Sequence, residues 1–380
     1  MAAVVLANSA CSAAWPTVVR SSPDEPMFRS GFPLVGDART DGALCSLATV
    51  GPDATRLVSP PGPLEGAVTP EDACREALPA APGQRGRVGR LVRVPTADGP
   101  FHGYLFATPG ATGVVVAFSG LGMPPAGWVN QAFAEVGARC GLVTLAPVRD
   151  ESARPIYFDP LREARRAVAA VAEVRTACRV RAAATVGFVG VSLGGLEALL
   201  ATREALRLGI ASRGIVLDPL LDPVLVAATL DGFWHSMATD AMQAYFKRIL
   251  RGRYGEPAST SFGEVLSRVG AHADASTDLA RDAPSAWLCD AERDAYVVYL
   301  SDTDPVLGDA QREFASSCGL PLLGARAPGH VPLACRPEII EEMIEQIPGH
   351  GGEHANGMRF VRARIGRASP VEETRSSDAP

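Results

Sequence analysis

Between residues 88 and 349 the chain alternates short apolar runs with longer stretches of helical period, and both ends lack either pattern. Gly113–Phe118 is apolar at every position, the mark of a strand covered on both faces. Residues 142–146, 186–191, 214–218 and 296–300 repeat that form, and 320–323 reads as the last strand. Helical stretches fall between them at 128–140, 161–177, from 196 onward and at 308–317. Arg336-Pro337-Glu338 opens a closing helix with proline in its first turn. Ahead of this series, 91–95 and 101–106 flank Thr96-Ala97-Asp98-Gly99 and predict a hairpin. Such alternation predicts an α/β fold with a mostly parallel central sheet, helices on both faces, and reactive loops at the strands' C-terminal ends.

The rhythm stops between about 223 and 284, where Trp234, Met242, Phe246 and Leu250 recur at helix-like spacing. The segment reads equally as a helical cap, with Trp234 and Phe246 lining an apolar substrate pocket, or as ordinary core packing. Residues 1–86, rich in Pro, Gly, Ala and Ser without a sustained period, are expected to form an irregular or partly disordered extension. The domain proper spans 87–349, and 350–380 is expected to be a flexible tail.

Composition narrows the function classes. A net charge of −6 gives no electrostatic reason to expect nucleic acid as a partner. No run approaches the roughly 18 uninterrupted apolar residues of a membrane span, so stable membrane insertion is not expected. The eight cysteines are scattered, without a Cys-x-x-Cys pair or a histidine at ligand spacing, so no metal site is expected; no cofactor is expected either. In a chain this long they read as buried free thiols in a reducing compartment. Residues 2–14 resemble a signal peptide only weakly, because a basic start is missing and the apolar part is very short; a cytoplasmic location is expected over export.

The chemistry concentrates in Val186-Gly187-Phe188-Val189-Gly190-Val191-Ser192-Leu193-Gly194-Gly195. A β-prone run entering a helix through Gly-x-Ser-x-Gly is the form of a nucleophile elbow, with Ser192 at its tip and small neighbours where strand and helix pack closely. The buried run 113–118 empties into Ser119-Gly120-Leu121-Gly122, a loop whose backbone N–H groups suit an anion. His102-Gly103 lies inside a strand and is structural. Further on, strand ends lead to Asp304-Pro305 and to Gly329-His330.

Ser192, Asp304 and His330 thus follow in the chain order nucleophile, acid, base. With the elbow, the loop 119–122, Asp304-Pro305 and Gly329-His330, the chain resembles the α/β-hydrolase fold superfamily over roughly residues 88–349. One departure is that many members carry His-Gly where this chain has Ser119-Gly120. The backbone donor survives that change. The resemblance implies a serine esterase or thioesterase in which His330 takes the proton of Ser192, Asp304 orients the imidazole, and the amides of Leu121 and Leu193 form the oxyanion hole. Asp302, Asp218 and Asp222 stand open as other acids; Asp304 is preferred because Pro305 follows it. An acyltransferase using the same triad, or a non-catalytic binding protein on the same scaffold, are the alternatives. The expected partner is a small acyl ester or thioester, and the sequence gives no oligomeric state.

Overall fold

The computed structural model describes residues 66–75, 89–120, 128–148, 159–223, 278–303, 308–318, 322–328 and 337–347. Among them an eight-stranded sheet runs in the order β1-β2-β4-β3-β5-β6-β7-β8. The strands are β1 (Arg90–Val94), β2 (Phe101–Phe106), β3 (Gly113–Phe118), β4 (Leu142–Val148), β5 (Val186–Val191), β6 (Ser212–Leu217), β7 (Tyr296–Thr303) and β8 (Leu322–Pro328). β2 pairs antiparallel with both β1 and β4, and every other pairing is parallel. The expected hairpin is β1–β2, with His102 inside its second strand. A parallel series places the exits of β3, β5, β6, β7 and β8 on one edge of the sheet.

The helices are α1 (Pro70–Arg75), α2 (Trp128–Arg139), α3 (Pro160–Ala177), α4 (Leu193–Arg207), α5 (Leu279–Asp282), α6 (Gly308–Ser317) and α7 (Pro337–Glu345). Side chains alternate along β3: Val114, Val116 and Phe118 pack with α3 and α4, while Val115 and Ala117 pack with α2 and α7. A strand apolar at every position is therefore buried on both faces, because each face has its own helical layer. α3 starts where the sequence supplies both start signals: Asp159 accepts from the Arg162 amide at 3.2 Å, and Pro160 occupies the first turn.

α7 and the residue that follows it are tied down by polar contacts from three elements. Arg139 of α2 pairs with Glu341 at 2.7 Å, Tyr299 of β7 donates to Glu342 at 3.3 Å, and Arg213 of β6 donates to the Gln346 carbonyl at 2.8 Å. Just past the helix, Ile347 fills the space that a side chain on Gly187 of β5 would take.

The expectation of free thiols is overturned. Cys74 is bonded to Cys178 and Cys289 to Cys318, and Cys140 is also disulfide-bonded, so each described cysteine is oxidised. Cys74 and Cys178 lie 104 residues apart in sequence, yet their Cα atoms are 5.2 Å apart because α1 packs against the end of α3. Spacing along the chain carries no trace of such a contact.

The stretch read as irregular contributes to this body. Val68 bridges Val92 of β1, and Ala73 of α1 joins the core beside α3 and α4. Residues 1–65 and 348–380 lie outside the described residues, as do 224–277 of the segment read as a cap. From residue 278 the chain already belongs to the body: buried Asp282 pairs with Arg203 of α4 at 2.8 Å, and Arg203 stacks over Trp287. β7 is longer than the apolar run suggested. It continues through Ser301 and Asp302 to Thr303, with an irregularity in its pairing to β8 between Ser301 and Thr303. The last strand lies later than expected, at 322–328, since a parallel partner and not the apolar run sets its bounds.

Candidate functional site

β5 ends at Val191 and α4 begins at Leu193, which leaves Ser192 to make the whole turn. Its φ of 54° and ψ of −121° lie where only glycine is at ease, a conformation that persists when the surroundings impose it. Neighbouring backbone does so here. The Ser192 amide donates to the Leu217 carbonyl at 3.0 Å, and the Ser192 carbonyl accepts from Gly195, Leu196 and Leu220 at 2.9, 3.3 and 3.3 Å. Serine at a helix start ordinarily caps the helix with its hydroxyl. Ser192 makes no such cap, so its side chain is not committed to the helix.

Crowding explains the glycines around it. A β-carbon on Gly190 would stand 2.9 Å from the Gly195 nitrogen and closer still to the Gly194 carbonyl. One on Gly194 would meet the Ser119 carbonyl oxygen at 2.5 Å, and one on Gly195 would meet Pro219 at 2.7 Å. The three glycines thus bring β5, the exit of β3 and the exit of β6 into contact with the first turn of α4. Leu193 and Gly194 are the first residues of that helix, where amides have no carbonyl one turn earlier to bond.

Two strand exits flank the elbow. Beyond β3, Ser119 and Gly120 are buried, and Asn130 of α2 donates to the Ser119 hydroxyl at 2.7 Å. Beyond β6, Asp218 is fully buried with a φ of 43°, and its amide donates to the Tyr299 carbonyl of β7 at 2.8 Å. Burial holds the Tyr299 phenol far above its ordinary pKa, so it stays a neutral donor to Glu342. Asp222 serves the packing of the body: it accepts from the Ser285 hydroxyl at 2.9 Å, while Gln311 of α6 accepts from the amides of Leu221 and Asp222 at 2.7 and 3.4 Å.

Of the residues singled out by sequence, Ser192 and Leu193 stand together at the elbow. Leu121, Trp234, Phe246, Asp304 and His330 lie outside the described residues. The strands that precede Asp304 and His330 in sequence are described: β7 ends at Thr303 and β8 at Pro328, and these two residues are register partners. Sequence reasoning missed Asn130 and Gln311. Asn130 left a faint signal, a small amide in the first turn of a helix directly after the Gly-rich loop; Gln311 left none.

No family model and no curated protein matches the chain. Among solved structures it is similar to an esterase from Pyrobaculum calidifontis, with 14% identity and a TM-score of 0.45 over 68% of this chain and 83% of that one. It is also similar to carboxyl esterase 2 from the mycorrhizal fungus Tuber melanosporum, with 13% identity and a TM-score of 0.47 over 78% and 96%. A bacterial heroin esterase has 16% identity and a TM-score of 0.46 over 68% and 84%. The chain's own sheet makes the assignment: one antiparallel strand, β2, enters an otherwise parallel series with order 1-2-4-3-5-6-7-8, and the serine turn joins its fifth strand to a helix. This chain has the α/β-hydrolase fold.

Proposed function

We propose that the protein is a serine hydrolase that cleaves a carboxylic ester or thioester through an acyl-enzyme on Ser192. The observation that carries this reading is the backbone of Ser192, held at φ 54° between a strand and a helix with its hydroxyl left out of the helix cap. Strain of this kind costs on the order of 1–3 kcal/mol and is found where function requires it.

In this mechanism His330 accepts the Ser192 proton as Oγ attacks the acyl carbon, and Asp304 holds the imidazole tautomer and stabilises the imidazolium. The amides of Leu121 and Leu193 bind the oxyanion, each donor worth roughly 10²- to 10³-fold in rate. Collapse of the tetrahedral intermediate expels the alcohol or thiol, which takes the proton back from His330. Water, activated by the same histidine, then releases the acid. Trp234 and Phe246 shape the acyl pocket in this reading. Disulfides persist in oxidising compartments and are rare in the reducing cytoplasm, which favours the export reading of residues 2–14 over the cytoplasmic one.

The test is covalent labelling. A fluorophosphonate should add once to the intact protein, and Ser192→Ala should abolish both the adduct and the hydrolysis of p-nitrophenyl esters. Labelling that persists in the variant would overturn the assignment of Ser192.

A further inference from the structure

The stretch that leaves β3 is held from two sides. On one side its backbone presses on the elbow helix, since the carbonyl oxygens of Phe118 and Ser119 occupy the space next to Gly194 where a β-carbon would stand. On the other, the Ser119 hydroxyl accepts a 2.7 Å hydrogen bond from the side-chain amide of Asn130, eleven residues on and in the first turn of α2. Ser119 is 4% exposed and Asn130 1%. The bond therefore ties the stretch leaving β3 to the first turn of α2, in a place where solvent does not screen it.

A buried polar pair is costly to bring out of water, and a leucine–alanine contact would fill similar space without that cost. What the hydrogen bond adds over apolar packing is direction: it orients Ser119, through its side chain, relative to the first turn of α2. The carbonyl of the same residue lies where a β-carbon on Gly194 would stand. Oxyanion donors act because they are set before charge develops, and displacements well under 1 Å are enough to weaken them.

We infer that Ser119 and Asn130 are positioning residues for the oxyanion site, holding the β3 exit at a fixed distance and angle from the first turn of α4. The inference rests on the reading of Ser192 as the nucleophile. Neither side chain touches the substrate. Their effect passes through the backbone of Ser119, whose carbonyl lies against Gly194 in the first turn of α4.

The test uses the full chain, p-nitrophenyl butyrate as substrate, and phenylboronic acid, which adds to the serine Oγ as a tetrahedral mimic of the oxyanion intermediate. Ser119→Ala and Asn130→Leu are each expected to lower kcat roughly ten- to hundredfold, less than the loss of a donor outright. KM should stay within about threefold, and the boronate Ki should rise by the same factor as kcat falls. The double variant should be no worse than the poorer single one, because the two side chains act as a unit. Folded variants whose kcat and boronate affinity match the parent would overturn the inference, as would a fall in kcat without loss of boronate affinity. A purely structural role predicts a lower Tm with boronate affinity unchanged. Should Asn130→Leu fail to fold, Ser119→Ala removes one oxygen and decides the matter alone. Fluorophosphonate labelling of Ser192 should still reach completion in both variants; a parent protein that neither labels nor hydrolyses esters refutes the nucleophile reading, and the inference with it.

Discussion

The amide of Ser192 donates to the carbonyl of Leu217 at 3.0 Å, one residue beyond the Val191–Leu217 pair that ends the β5–β6 ladder. The serine is thus still held by the neighbouring strand after its φ has turned to 54°. Glycine takes that φ without a β-carbon penalty, so Ser192→Gly should relieve roughly 1–3 kcal/mol of strain, less about 0.4–1 kcal/mol for the freer unfolded chain. Ser192→Ala keeps the β-carbon and should gain nothing from this source. Thermal melts of the two variants side by side check the point, with Ser192→Gly expected a few degrees higher.

The acid is the least direct of the proposed assignments. β7 runs through Asp302 to Thr303, and Asp304 follows in the sequence. Asp304→Asn is expected to lower kcat by about 10⁴-fold with little change in KM, as when a histidine loses its orienting carboxylate. Asp302→Asn should cost far less. Asp218, fully buried beyond β6, is the rival. Steady-state kinetics on the three folded variants rank them, and an Asp218→Asn variant that alone loses turnover would move the acid to β6.

The two disulfides are each expected to add to stability. Cys74–Cys178 closes 104 residues of chain and Cys289–Cys318 closes 29. Loop-closure entropy predicts about 4.7 kcal/mol for the first and about 3.6 kcal/mol for the second. Paired Cys→Ser substitutions should lower the denaturation midpoint in that order. Mapping of unreduced peptides should recover both linkages, and full alkylation without reductant would contradict them.

Glu342 gives the protein a slope of stability against pH. Burial raises its carboxyl above the ordinary range; the Tyr299 hydroxyl opposes that shift and nearby Glu345 adds to it. The folded state therefore holds the proton more tightly than the unfolded one. This contribution falls as pH climbs from the unfolded value near 4.5 through the raised folded value. Glu342→Gln, which still accepts from Tyr299, should melt higher than the parent at pH 7 and equally at pH 4. Melts across that range read the difference directly.

Sequence alone determined the layered architecture, because a parallel sheet between two helical layers needs runs such as Gly113–Phe118 that are apolar at every position, and helices with one apolar stripe. It also located the elbow, since a turn this sharp admits only small residues at 190, 194 and 195, and glycine is visible in a sequence. Strand ends were less legible. β7 and β8 extend as far as their parallel partner offers hydrogen bonds, which hydrophobicity does not record. Only the tertiary structure decided which cysteines meet, that residues 66–75 join the core, and that Asn130 reaches Ser119. Each of these depends on where a helix docks, and docking is fixed by the shape of the whole core.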